Sequence, residues 1–206
     1  MQVKICGLTL KENIENVVTL QPDMIGLIFY NQSKRYVGQD TELKGFLKKL
    51  AGVKKVGVFV DPSYYEIAIT AFEYGLDYIQ LHGDESANFC NNVNKVIPVI
   101  KAFRIRDGFD FELLRNYIDS STYFLFDTYT EEYGGSGKKF DWAILNNYYF
   151  DRQFILSGGI GYEDITLIKK IGHPAFVGID INSGVEDKPG HKNIDKVKKM
   201  IHGIQN

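Results

Sequence analysis

Two residues in this chain have the type and placement to move protons. Cys6 closes the run Lys4-Ile5-Cys6-Gly7, and Asp127 closes Phe124-Leu125-Phe126-Asp127. A thiol and a carboxylate held on opposite sides of a bound molecule can act on two different atoms, one removing a proton and the other delivering one. Alone, a cysteine in an apolar run is a packing residue, so its position in the fold has to decide. Other polar residues follow apolar runs in the same way: Arg35 in Ser33-Lys34-Arg35-Tyr36, Gln80 and His82 in Gln80-Leu81-His82-Gly83, and Asp180 before Ile181-Asn182-Ser183-Gly184. Arg35 offers a planar fork to a carboxylate, although a Lys-Arg pair by itself is a solvated charge pair. Gln80 and His82 alternate on one strand face, which also suits an interior layer residue and a structural histidine.

The elements that must hold these residues repeat along the chain. Strand-like runs fall at 3–6, 24–29, 55–60, 78–81, 97–103, 123–127, 153–156 and 176–181, with helical spacing between them. Thr9 and Glu12 read as a capping box at the first helix. Leu43, Phe46, Leu47 and Leu50 form an apolar stripe on the second, and Ile67, Ala68, Ala71 and Phe72 form one on the third. Residues 110–119 make a shorter helical segment, Ile165, Ile168 and Lys169 open the seventh pattern, and Ile194, Val197, Met200 and Ile201 mark the eighth. Eight such units in 206 residues leave about 26 residues each, near the lower limit for an α/β (β/α)8 TIM barrel. A doubly wound sheet would carry a glycine fingerprint after its first strand, and Cys6-Gly7-Leu8 is not one. A single barrel domain over residues 1–206 is expected.

In such a barrel the chemistry lies at the carboxyl ends of the strands. That rule places Cys6 and Asp127 at the mouth, on strands one and six. It also places two glycine turns, Gly158-Gly159 and Ser183-Gly184, after strands seven and eight, where barrels hold phosphate through backbone N–H groups. One such turn would be only a tight turn; two in adjacent units point to a phosphorylated small molecule. The stretch Gly134-Gly135-Ser136-Gly137-Lys138 is not a nucleotide loop, since Glu132 and Lys139 stand where glycine and a hydroxyl residue are required. A lid over the mouth, spanning 128–139, fits it better.

Bulk properties exclude other classes. A composition of 44% hydrophobic and 24% charged residues argues for a globular fold, and a net charge of −2 carries no signal for nucleic acid or an anionic membrane. No apolar run approaches a membrane span, and Lys4, Lys11 and Glu12 near the start leave no signal peptide. The cysteines, Cys6 and Cys90, are far apart, which argues against a disulfide framework or thiolate zinc site and for a reduced, cytoplasmic protein. No metal is expected. The sequence does not distinguish a monomer from a homodimer.

The ordered set of these stretches resembles the phosphoribosylanthranilate isomerase family of tryptophan biosynthesis. To those above it adds Gly26-Leu27-Ile28-Phe29, Val56-Gly57-Val58-Phe59-Val60, Tyr133 through Lys138 with Phe140-Asp141-Trp142, and Ser183-Gly184-Val185-Glu186 with Pro189-Gly190. The resemblance implies a TIM barrel without a cofactor. Its reaction would be the Amadori rearrangement of N-(5'-phosphoribosyl)anthranilate to the 1-deoxyribulose 5-phosphate product. It makes Asp127 the acid that protonates the ribose ring oxygen and Cys6 the base that takes the C2' proton. Arg35 would hold the anthranilate carboxylate and the two glycine turns the phosphate. Gln80, His82 and Asp180 are expected to line the substrate. Two residues depart from the pattern: Asn182 stands where a small serine is common, and Asn193 where an aspartate commonly follows Lys192.

A free thiol ionises near pH 8.5 and needs help to act as a base. Alternation puts Lys4 on the face of Cys6, one layer deeper, and barrel closure brings strand eight alongside. Lys4 is therefore expected to pair with Asp180 or Asp127 and to lower the Cys6 pKa. A related barrel of histidine biosynthesis performs the same rearrangement with a carboxylate at the first strand end, and Cys6 argues against it. A non-catalytic phosphate-binding barrel would have no use for both Cys6 and Asp127.

Overall fold

Eight parallel strands close on themselves in sequence order: β1 (Gln2–Ile5), β2 (Met24–Ile28), β3 (Lys54–Phe59), β4 (Tyr78–Leu81), β5 (Val99–Ile105), β6 (Tyr123–Thr128), β7 (Phe154–Leu156) and β8 (Phe176–Ile181). The structure, a computed structural model, describes residues 1–38, 40–128 and 140–205. Closure is made by β1 against β8, with Lys4 opposite Asp180 and Ile5 opposite Ile181. Both strand faces are covered, so the strands read as nearly continuous apolar runs. Met24, Val56, Ile100, Ala102, Leu125 and Ile155 form one compact cluster, and a larger cluster packs the strands against the helices.

The outer layer comprises α1 (Lys11–Val18), α2 (Thr41–Lys49), α3 (Tyr64–Tyr74), α4 (Ala87–Asn94), the four-residue α5 (Ile165–Ile168) and α6 (Ile194–Gln205). Units five and six are completed by tight 3-10 segments, Phe111–Ser120 and Trp142–Asn147, capped by Asp110 and Asp141. After β8 the chain makes a short 3-10 turn (Ser183–Val185) and an antiparallel pair, β9 (Glu186–Lys188) with β10 (His191–Lys192), before α6.

Two sequence expectations fail locally. Thr9 does not cap α1, which starts at Lys11 with no side-chain cap; the Thr9 hydroxyl instead donates to the Gly190 carbonyl in the β9–β10 turn. On α3 the inward row is Ile67, Ala71 and Tyr74, while Ala68 lies outside and Phe72 is 73% exposed beneath the Lys48 ammonium. The expected stripe mixed two adjacent rows of the helix, and the aromatic at Tyr74 decided which faces in. On α6 the expected positions Val197, Met200 and Ile201 are buried together with Ile204.

Candidate active site

A cleft opens at the carboxyl end of the barrel. Its walls include Cys6, Gln80, His82, Asp127, Asp180 and the turns at 157–160 and 182–184. Cys6 lies one residue beyond β1, where its N–H donates to the Ile181 carbonyl of β8. The thiol has room because β2 carries glycine beside it: a Cβ on Gly26 would lie 2.6 Å from Cys6 Sγ.

Beneath the thiol, Lys4 is 1% exposed and its Nζ donates to Asp180 Oδ2 at 2.9 Å. Asp180 is the partner, not Asp127. Burial alone would lower the Lys4 pKa, but Asp180 and Cys6 outweigh it and hold the ammonium charged. The effect on Cys6 is opposite to the expectation. Burial and the Asp180 charge push the thiol up, and the pull of Lys4 and Lys192 does not offset them. The expected neighbour is present, but the carboxylate that neutralises it also opposes the thiolate.

Across the cleft, Asp127 sits on β6. Its Oδ1 accepts from the Thr128 N–H at 2.9 Å, and its Oδ2 meets His82 Nε2 at 3.1 Å. Gln80 Nε2 donates to His82 Nδ1 at 2.9 Å, which leaves the ring proton on Nε2, directed at Asp127. Gln80 and His82 thus form one chain that orients the Asp127 carboxyl group, an arrangement their alternation along the chain did not reveal.

The two glycine turns meet at one end of the cleft. Gly158 and Gly159 have φ of 95° and 64°, values that favour glycine. Among the described residues, the backbone N–H groups of Gly158, Gly159, Ser183 and Gly184 have no protein acceptor, an arrangement suited to an anion. Asn182 does not disturb this turn, because its Oδ1 accepts from Lys192 Nζ at 2.8 Å. Asn193 accepts from the Lys196 N–H and so starts α6 as an aspartate would.

Arg35 does not line the cleft wall. It forks onto Glu186, a residue to which the sequence reading gave no role, and its stem packs with Asn182 over Gly7, next to Cys6. Lys192, 0% exposed, also donates to Glu186, at 2.6 Å. The sequence reading missed the apolar side of the cleft as well, formed by Ile28, Val58, Val60 and Ile160 with Tyr30, Ser33 and Ser157. Those aliphatic residues look like core in the sequence. Ser33, Ser157 and Asn182, in contrast, follow strand ends in the sequence, where the strand-end rule already puts them at the mouth. Of the expected lid, 128–139, Thr128 ends β6 and the rest lies outside the described residues.

Among the described residues, no group of three or more His, Cys, Asp or Glu side chains is placed to hold a metal ion, and no helix is long and apolar enough to cross a membrane. The arrangement is a thiol and a carboxyl group lining one cleft, an apolar flank, and an end built of two glycine turns.

Comparison with known proteins agrees with this architecture over its full length. Residues 3–203 match the family model described as N-(5'phosphoribosyl)anthranilate (PRA) isomerase. A curated N-(5'-phosphoribosyl)anthranilate isomerase from Parabacteroides distasonis is 46% identical over 206 residues, covering 99% of this chain and 93% of its own. The crystal structure of phosphoribosyl anthranilate isomerase from Thermotoga maritima superposes with a TM-score of 0.87 at 36% identity, covering 100% of this chain and 98% of that one. A structure of phosphoribosyl anthranilate isomerase in complex with reduced 1-(o-carboxyphenylamino)-1-deoxyribulose 5-phosphate superposes with a TM-score of 0.84 at 31% identity, covering 100% and 98%. With a closed barrel, a thiol facing a carboxylate and relatives matched from end to end, the chain belongs to the N-(5'-phosphoribosyl)anthranilate isomerase family.

Proposed function

We propose that the chain rearranges N-(5'-phosphoribosyl)anthranilate to 1-(2-carboxyphenylamino)-1-deoxyribulose 5-phosphate, with Asp127 as general acid and Cys6 as general base. The observation that carries the assignment of roles is that these two groups face one cleft from β6 and from the end of β1. The Asp127 carboxyl gives its proton to the ribose ring oxygen. The C1'–O bond breaks, and the amine lone pair forms a C1'=N iminium. Cys6 as thiolate then takes the proton from C2', and those C–H electrons become the C1'=C2' bond as the nitrogen recovers its lone pair. The resulting enol-amine loses its C2' hydroxyl proton and gains one at C1', so the sequence is an isomerisation with nothing consumed and needs no cofactor.

The glycine turns supply N–H donors for the phosphate, and Ile28, Val58, Val60 and Ile160 pack the anthranilate ring. Arg35 keeps its Nη1 protons and one Nη2 proton free of Glu186, enough to meet the anthranilate carboxylate. The two free cysteines fit a reducing cytoplasm.

The test is loss of anthranilate-type fluorescence, with substrate formed in situ from anthranilate and phosphoribosyl pyrophosphate. Cys6→Ala and Asp127→Asn should each lower kcat by about 100-fold or more in a folded protein. Near-normal turnover in either variant would refute its assigned role. Because the empty-site thiol is held protonated, the wild-type rate should rise with pH through and beyond the ordinary thiol range.

A further inference from the structure

Asp180 is 5% exposed and lines the cleft, yet only one of its oxygens is used. Oδ2 is held by Lys4, while Oδ1 is buried with no hydrogen-bond partner among the described residues. A buried carboxylate oxygen without a donor is costly, and one that lines a cleft is placed to be completed by what the cleft binds. The ammonium beneath it supplies the opposite charge at 2.9 Å. From the cleft, the negative end of the pair is the one presented. It stands beside Cys6, since Asp180 pairs with Lys4 across the β1–β8 seam and the next β8 residue accepts from the Cys6 N–H.

Resting on the isomerase reading above, we propose that Asp180 is the counter-ion of the iminium intermediate: Oδ1 accepts its N–H, and Lys4 is the positioning residue that holds the carboxylate. The substrate amine is uncharged, and positive charge appears at nitrogen only after the ring opens. A fixed carboxylate there stabilises the step where charge develops. It also couples that step to the next. In the empty cleft the Asp180 charge opposes ionisation of Cys6. Once the iminium forms, that charge is compensated, and a cation lies next to the thiol at the moment a base is required. No atom is exchanged with Asp180, which begins and ends as a carboxylate.

The test measures kcat and KM separately for wild type, Asp180→Asn and Lys4→Met/Asp180→Asn, with binding of reduced 1-(o-carboxyphenylamino)-1-deoxyribulose 5-phosphate as a second readout. The double variant removes the ammonium that the single variant strands in the core, so the comparison survives if Asp180→Asn folds poorly. The expected result is a kcat loss of about 100- to 1000-fold in both variants, the size seen when one transition-state donor or charge is removed. KM and binding of the reduced compound, whose amine is uncharged, stay near wild type. A loss confined to KM, or weakened binding of the reduced compound, would make Oδ1 an acceptor for a sugar hydroxyl and overturn the proposal. Recovery of kcat in the double variant would overturn it too, leaving Asp180 only as the partner of Lys4. Absence of turnover in wild type would instead sink the isomerase reading, and this inference with it.

Discussion

Arg35 donates to Glu186 from Nε at 2.9 and 3.1 Å and from Nη2 at 2.7 Å, so a residue at the cleft rim is anchored by a carboxylate 151 positions away. The same Glu186 takes the fully buried Lys192 at 2.6 Å, and Lys192 in turn holds Asn182 at the start of the second glycine turn. One carboxylate therefore ties the guanidinium to the glycine-turn end of the cleft.

Replacing Glu186 by Gln leaves Lys192 buried with its main counter-charge gone. Breaking a buried pair in this way costs about 3–5 kcal/mol. Urea denaturation should show a loss of that order. In the folded fraction KM for the phosphoribosyl substrate should rise more than kcat falls, because both ends of the ligand lose positioned partners.

Gly26→Ala tests whether the thiol needs the space opposite it. A Cβ there would lie 2.6 Å from Cys6 Sγ and 3.0 Å from its Cα. Overpacking of this kind costs about 1–3 kcal/mol, which a barrel of this size should survive. Circular dichroism should stay near wild type, while kcat falls by about tenfold or more as the thiol is displaced by a fraction of an ångström. A variant with wild-type kcat would show that the thiol position is not critical.

Gly158→Ala addresses the anion-binding end. Residue 158 has φ of 95°, and a Cβ would overlap Thr128 Oγ1. The turn must shift, taking its N–H groups with it. KM for the phosphorylated substrate should rise about 10- to 100-fold, corresponding to about 1.4–2.8 kcal/mol of lost binding. Inhibition by inorganic phosphate should weaken in parallel.

Lys4 should mark the alkaline limit of stability. Burial pulls its pKa down, but Asp180 and Cys6 prevail and raise it above the unfolded value. The folded chain then holds the proton more tightly than the unfolded chain. This stabilisation is complete below about pH 10.4 and is lost as pH climbs through the higher folded value. Plotted as stability against pH, wild type should fall more steeply in that alkaline range than Lys4→Met/Asp180→Asn; parallel curves would mean that the pair contributes no linkage.

Much of the site could be read from spacing alone. The period-two runs alternating with helical segments led to the barrel, and its strand-end rule led to Cys6, His82, Asp127, Asp180 and both glycine turns. Side-chain alternation and the closure of β8 on β1 even narrowed the partner of Lys4 to Asp180 or Asp127, and the structure selects Asp180. These are consequences of backbone geometry, which the order of residue types carries directly. What the order could not carry is the balance of opposing effects between groups distant in the chain. The sign of the Cys6 shift depends on burial and on how close Asp180 comes to the thiol, and neither is visible in Lys-Ile-Cys-Gly. The hold of Glu186 on Arg35, the Gln80–His82–Asp127 chain and the apolar flank of Ile28, Val58, Val60 and Ile160 arise only when separate strand ends meet at one mouth. Sequence order placed the polar groups at the strand ends; the closed barrel decided which of them touch, and so which way burial and charge push Lys4 and Cys6.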